Sequence, residues 1–171
     1  MAFIQAITLL DKNLHDLKAF DCGKPAMNQF LNRFAAKHAE LGLSSTWVLL
    51  EESNTEKLPI AAYYTLASTT VYRESLPVKQ SLPTYPIPVV ILARLAIATK
   101  HQGKGLGEKI LISALRHAFQ LTQQGLPAYG LILDAIDEQA LGFYQHFEYF
   151  EPMTDDPMRL FLSMNSLKVI G

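Results

Sequence analysis

The sequence has 171 residues, 49% of them hydrophobic and 18% charged, with a formal net charge of −1. That length fits one domain able to bury roughly two thirds of its unfolded surface, and the composition excludes a disordered chain. The charge balance by itself argues against a nucleic-acid partner, and a single cysteine, Cys22, leaves no internal disulfide framework.

No basic segment followed by an apolar one opens the chain. No apolar run reaches the roughly 18 residues of a membrane span, since Ile87 to Ala98 is shorter and carries Arg94. A cytoplasmic protein with no membrane partner is expected.

Taken in order, Ile4 to Leu10 reads as a first strand. Asp21-Cys22-Gly23-Lys24-Pro25 then introduces a helix, because Asp is a good N-cap and Pro is tolerated in the first turn. Met27, Phe30, Leu31, Phe34, Ala35 and His38 follow at helical spacing until Gly42. The other face carries Asn28, Asn32, Arg33 and Lys37, a solvated face or a binding face. Ser45 to Glu51 and Ile60 to Val71 are strands of an antiparallel meander, joined by a polar loop. Arg73 to Pro86 contains Pro77, Pro83 and Pro86 without periodicity, which predicts a long surface loop able to border a substrate groove.

The apolar stretch Ile87 to Ala98 predicts a central strand. A polar turn, Gln102-Gly103-Lys104-Gly105-Leu106-Gly107, leads into a helix whose stripe is Leu106, Ile110, Leu111, Ala114, Leu115, Ala118 and Phe119. Tyr129 to Ala135 predicts a buried strand, Asp137 caps a helix from Glu138 to about Phe147, and Arg159 to Asn165 a last strand. With no repeat, low-complexity segment or linker, one domain over residues 1–171 is expected.

Strand, glycine-rich turn and helix N-terminus, in that order, cradle a phosphate. Missing Cβ atoms at Gly103, Gly105 and Gly107 let backbone N–H groups approach an anion, and the helix dipole adds about half a positive charge. A nucleotide-hydrolase loop needs Gly-Lys followed by Ser or Thr, whereas Gly105 follows Lys104. A dinucleotide fingerprint needs G-x-G-x-x-G, and the spacing here does not match. The pattern is Gln-x-x-Gly-x-Gly, which resembles the pyrophosphate loop of the GCN5-related N-acetyltransferases, the GNAT family.

That resemblance implies an α/β (α+β) fold with a mixed, mostly antiparallel twisted sheet, helices on both faces and a splayed central strand. It implies acetyl-CoA as co-substrate and no metal. The pyrophosphate would lie on Gln102, Gly103, Lys104, Gly105, Leu106 and Gly107, and pantetheine would pair like an added strand with the backbone at Leu95, Ala96 and Ile97. Phe143-Tyr144 resembles the family's Phe-Tyr pair, with Phe143 against the cofactor and Tyr144 as the catalytic general acid. The family usually continues to Gly-Phe, where this chain has Glu148-Tyr149. Core packing is the plain alternative for Tyr144.

Phe20-Asp21-Cys22-Gly23, Tyr63-Tyr64-Thr65-Leu66-Ala67, Pro88 to Ala96 and Asp156-Pro157-Met158-Arg159-Leu160 together resemble the acetyltransferase toxins of bacterial toxin–antitoxin pairs. This implies acetylation of the α-amino group of aminoacyl-tRNA, arrest of translation, and neutralisation by a cognate ribbon-helix-helix antitoxin. Homodimerisation is a further expectation. Acetylation of protein N-termini or small amines, or a non-catalytic acyl-CoA-binding module, are the alternatives.

The chemistry suits that substrate. An α-amino group with pKa near 7.7–8.0, lowered further by esterification, is partly uncharged without a strong base, and a phenol of pKa about 10 stays protonated to serve a departing thiolate. Charge is unevenly placed. Arg94, Lys100, Lys104, Lys109 and Arg116 face only Glu108 between residues 94 and 117, while Asp134 to Asp156 lacks any Lys or Arg. Arg33, Lys37, Arg94 and Lys100 are therefore candidate contacts to tRNA. His15, His38, His101, His117 and His146 are scattered and give no metal-ligand spacing, and Cys22 reads as a buried or capping residue.

Overall fold

The computed structural model describes residues 2–170. Strand β1 (Phe3–Leu9) is followed by a two-residue strand β2 (His15–Asp16), helices α1 (Pro25–Gln29) and α2 (Ala35–Glu40), and strands β3 (Ser45–Glu51), β4 (Leu58–Val71) and β5 (Ile87–Ile97). Helix α3 (Leu106–Gln123), strand β6 (Gly130–Asp134), helix α4 (Glu138–Gln145), strands β7 (Glu151–Pro152) and β8 (Arg159–Ser163) and helix α5 (Met164–Ile170) complete the chain. Among the described residues the sheet has eight strands in the order β1-β3-β4-β5-β6-β8-β7, with β2 pairing β4. No described helix is long and apolar enough to cross a membrane.

Packing divides the chain into two compact units, Met1–Ala67 with Arg94–Ser113, and Ser68–Ala93 with Ala114–Gly171. In the first, β3 pairs antiparallel with β1 (Phe3 opposite Glu51) and with β4 (Val48 opposite Tyr63). Its core gathers Phe20, Met27, Phe30, Leu31, Ala35, Val48, Leu50, Tyr63 and Ala96. Tyr63 is fully buried, and its hydroxyl donates to Met27 O at 2.7 Å, so the largest side chain of this core also fastens α1 to β4.

The first helix departs from its predicted form. Asp21 does not cap it: the N-cap is Lys24, with Pro25 at the first helical position. The Asp21 carboxylate instead accepts from Gly23 N at 2.8 Å and Asn28 Nδ2 at 2.9 Å, shaping the approach to the helix. Between α1 and α2 the chain runs as a π-helix over Phe30–Phe34. The wider turn shifts the apolar stripe by one residue, so that Ala35 is buried and Phe34, expected in the stripe, is 45% exposed. Gly42, at φ +75, closes α2 as predicted, with Leu43 N on His38 O and Gly42 N on Ala39 O.

In the second unit β6 pairs parallel with β5 (Val90, Ile91 and Leu92 opposite Leu131, Ile132 and Leu133) and antiparallel with β8. Val71, Leu76, Ile87, Val89, Ile132, Met153 and Phe161 form its core cluster. The segment predicted as a surface loop, residues 73–86, holds a 3-10 turn at Arg73–Ser75 and buries Leu76. Arg73 Nη1 on Leu82 O, at 2.7 Å, closes it on itself. Asp137 caps α4 as expected, accepting from Ala140 N at 2.8 Å. The last strand ends at Ser163 rather than Asn165, because Ser163 Oγ accepts from Ser166 N and starts α5, whose Leu167 is buried.

His15 supplies a pH test. It is buried, its Nδ1 accepts from Asp11 N at 2.9 Å, and burial holds its pKa below the ordinary value against the opposing Asp11 carboxylate. The folded chain thus takes up this proton less readily than the unfolded one, so this contribution to stability is whole above about pH 6.5 and is lost as pH falls toward the lower folded value. His15→Asn keeps an acceptor near Nδ1 but does not titrate. Urea midpoints at about pH 7 and about pH 5 should fall less in the variant than in the wild type; parallel declines would remove His15 from this role.

Candidate active site

Strand β5 leaves the sheet after Ile97, and the backbone reaches α3 through a 3-10 turn, Thr99–His101, and the glycine turn. Gly103 and Gly105 have φ +75 and +80, which only glycine adopts without strain, and no atom lies within 4 Å of where a Cβ would stand at either. The turn is an open backbone cradle. Gly107 differs, lying in the first turn of α3, where its backbone is helical. Lys109 N donates to Gly105 O, so the N–H groups of Leu106, Gly107 and Glu108 precede the first intrahelical bond. Those donors, the dipole and the exposed Lys104 suit a pyrophosphate. The residues present fit the group.

Gln102 has a different function within this turn. Its backbone N–H donates to Thr99 O, and its Nε2 donates to Cys22 O at 2.9 Å and Ile97 O at 2.8 Å, so its hydrogens hold the turn to the end of β5 and to the loop before α1. Sequence spacing could not show this latch, because one partner lies 80 residues away. Leu95, Ala96 and Ile97 lie past the residues of β5 that form the ladder with β6.

The basic candidates divide into kinds. Arg94 stacks its guanidinium 3.8 Å from the centroid of the Phe30 ring, on the π-helical segment. Arg33, on that same segment, lines an open cavity of about 260 Å³ with Lys18, Phe20, Pro25, Asn28, Gln29 and Asn32. Lys18 was not among the sequence candidates. This cavity contains two cations, three carboxamides and no carboxylate. Lys37 is exposed near Glu40, at 4.0 Å. Lys100 is bound to Glu51, 3.0 Å from Oε1.

Glu51 ends β3 and is 2% exposed. Burial opposes its ionisation, but hydrogen bonds from His101 Nε2 and Lys100 Nζ outweigh that and hold its carboxyl below the usual range. Cys22 is buried, and burial pushes its thiol up, so it is an inert core residue as expected.

Phe143 and Tyr144 belong to α4 in the second unit. Their rings meet edge to face at 5.2 Å, Phe143 also meets Phe147, and Tyr144 meets Phe150. Tyr144 is 6% exposed, and burial drives its phenol well above the ordinary value, so it is protonated at neutral pH. Its hydroxyl makes no hydrogen bond among the described residues.

A family model described as the acetyltransferase (GNAT) family matches residues 26–149. A tRNA-acetylating toxin of Mycobacterium tuberculosis (strain ATCC 25618 / H37Rv) is 31% identical over 158 residues, covering 91% of this chain and 90% of that protein. Among solved structures, AtaT complexed with acetyl-methionyl-tRNAfMet is 29% identical with TM-score 0.84, over 96% of this chain and 98% of that one. A mutant AtaT toxin bound to the C-terminus of the antitoxin AtaR and to acetyl-CoA is 26% identical with TM-score 0.79, over 96% of each chain. The open glycine turn at the head of α3 and the extent of these matches lead to one conclusion: the chain belongs to the acetyltransferase (GNAT) family.

Proposed function

We propose that the protein is an acetyl-CoA-dependent N-acetyltransferase that acetylates the α-amino group of aminoacyl-tRNA. It acts in the cytoplasm as a translation-inhibiting toxin and is neutralised by a cognate antitoxin of the ribbon-helix-helix type. The observation that carries this reading is the glycine turn, open at Gly103 and Gly105 and continuous with the N-terminus of α3, in a chain similar over nine tenths of its length to a tRNA-acetylating toxin. The likeness to AtaT complexed with acetyl-methionyl-tRNAfMet supports the substrate, and the likeness to AtaT bound to antitoxin and acetyl-CoA supports the partner and co-substrate.

Acetyl-CoA, when bound, supplies an activated thioester. The residues of this chain bind, orient and protonate. Gly103, Lys104, Gly105, Leu106 and Gly107 offer backbone donors and one cation to the pyrophosphate, Gln102 holds that turn, Leu95, Ala96 and Ile97 offer main-chain groups to pantetheine, and Phe143 gives an apolar wall. Tyr144 is the general acid. Burial makes it a weak acid in the free chain, so its proton moves only as negative charge grows on the leaving sulfur and favours transfer. The absence of an internal partner for its hydroxyl supports this role over a structural hydrogen bond. Arg33, Arg94 and Lys18 are the cations we assign to tRNA. Lys37 and Lys100, each close to a carboxylate, contribute less.

Substitutions at four positions test this function. Gly105→Asp puts a negative side chain into open space at a left-handed position that Asp tolerates better than most residues, so the chain should fold. Calorimetric titration should find acetyl-CoA affinity reduced by about 2 kcal/mol or more, with Gly105→Ala as the control for backbone strain; equal affinities in Asp, Ala and wild type would take the turn out of the site.

Tyr144→Phe removes one oxygen with no internal partner, so the melting temperature should hold while single-turnover acetylation of charged tRNA falls by roughly 10²–10⁴-fold. A folded variant with near-normal turnover would end the general-acid assignment. Run beside uncharged tRNA and peptides, the same assay separates aminoacyl-tRNA from protein N-termini as acceptor.

For the tRNA contacts, Lys18→Gln and Arg33→Gln should each flatten the slope of log affinity against log salt by roughly 0.7–0.9 for a lost phosphate contact. Filter binding over a salt series with charged tRNA reads this directly, and slopes unchanged in both variants would place the nucleic acid elsewhere.

A further inference from the structure

We propose that Glu51 is a positioning residue for the glycine turn: a buried carboxylate that fixes where Gln102 begins, and through it the direction of the N–H groups of residues 103–107. The inference rests on the acetyl-CoA reading of that turn and adds a residue some 50 positions away from it.

Glu51 is the last residue of β3, and its carboxylate receives the Lys100 and His101 side chains of the 3-10 turn that leads to the loop. Lys100 Nζ lies 3.0 Å from Oε1 and 3.1 Å from Oε2, and the buried His101 donates from Nε2 to Oε1. Phe3, the cross-strand partner of Glu51 on β1, packs edge to face on the imidazole at 5.0 Å, so the ring is held on one side by an aromatic and on the other by a charge. Thr99 N on Asp21 O, at 2.8 Å, and the two Gln102 Nε2 bonds complete the anchorage.

The turn beyond has no comparable restraint of its own. Gly103 and Gly105 have no neighbours at their Cβ positions, and Lys104 is exposed. Its downstream end is tied to α3 by Lys109 N on Gly105 O, and its upstream end takes its orientation from residues 99–102. Burying a carboxylate is costly unless it is paired, and an apolar residue at this place would pack without that cost. The carboxylate gives what an apolar residue does not, directional bonds to two consecutive side chains of the turn. The hydrogen bonds of the Glu51 carboxylate go to Lys100 and His101, so it acts on residues 103–107 through Lys100, His101 and Gln102.

The test uses the full chain with Glu51→Gln and two measurements. Hydrogen exchange on the ligand-free protein should show faster exchange of the amides of residues 103–107 in the variant, with the α3 interior unchanged. Titrations should show acetyl-CoA binding weakened by about tenfold, the size of a lost charge-assisted hydrogen bond. S-acetylpantetheine, which lacks the pyrophosphate and nucleotide, should stay within about twofold.

Unchanged loop exchange, or equal weakening of both probes, would overturn the proposal. A wild type that binds neither probe would sink the acetyl-CoA reading, while the exchange measurement would still decide the positioning role. Lys100→Met covers the case of a Glu51 variant that does not fold, because its half-exposed side chain tolerates the change. It should weaken acetyl-CoA by about threefold and spare S-acetylpantetheine, and a flat result there would also overturn the proposal.

Discussion

The backbone from Ala98 to Gly105 must turn out of a strand, pass two left-handed glycines and enter a helix, and its last three residues, Gly103, Lys104 and Gly105, have almost no side chains with which to hold themselves. The contacts around this turn in the first unit follow from that constraint. Asp21 and Cys22 lend main-chain oxygens, Ala61 O receives Ala98 N, and Glu51 receives Lys100 and His101. A loop that leaves its N–H groups unused for a ligand cannot also use them to stabilise itself. The fold therefore anchors the loop from its upstream side, where side chains are available, and leaves the downstream donors free.

This division explains what was legible in the sequence. The glycines, the apolar stripe of α3 and the Asp137 cap are signals of local spacing, and each appears where the pattern put it. Glu51, the Gln102 latch and the Tyr63 hydroxyl on Met27 O act across 36 to 80 residues. No periodicity joins such partners, and Glu51 looked like an ordinary polar strand end. The π-helical turn at Phe30–Phe34 was hidden for a different reason. Phe34 and Ala35 both fit an apolar stripe, and the small residue is the one the tight core accepts. Helix α5 escaped because its residues, Met164 to Ile170, carry only one deeply buried position, Leu167.

Charge shows the same separation of local from long-range. A net charge of −1 argues against a polyanion partner, yet net charge is a poor guide when the charges are sorted. In the second unit the acidic run is partly internal scaffolding: Asp134 takes a bidentate contact from Arg159 at 2.7 and 2.9 Å, and Asp155 accepts from Ser75. In the first, Lys100 faces Glu51, and Lys12 and Lys37 share Glu40. Those pairings leave Arg33 and Lys18 around a cavity without carboxylates, and Arg94 clamped on an aromatic face rather than on an acid. The Asp21 carboxylate stands behind Asn28 and is already hydrogen-bonded by Asn28 Nδ2 and Gly23 N, so the local field depends on which charges lie within about a Debye length and not on the sum over the chain.

The proposed reaction also accounts for how few reactive side chains the chain offers. An α-amino group is partly neutral near physiological pH and a thioester is already activated, so neither a strong base nor a metal is demanded. What remains is to hold two reactants in line, which backbone donors and shape accomplish, and to quench the charge on a leaving sulfur. A buried phenol suits the second task. Its surroundings keep it protonated, and no acceptor among the described residues competes for its proton. A carboxylic acid in the same place would have lost its proton at neutral pH unless burial raised it by several units, whereas a tyrosine begins from about 10 and needs no such adjustment. Chemistry that asks for orientation and one reliable donor leaves a sequence in which the site is mostly glycine and apolar backbone, with the orienting charges placed elsewhere in the chain.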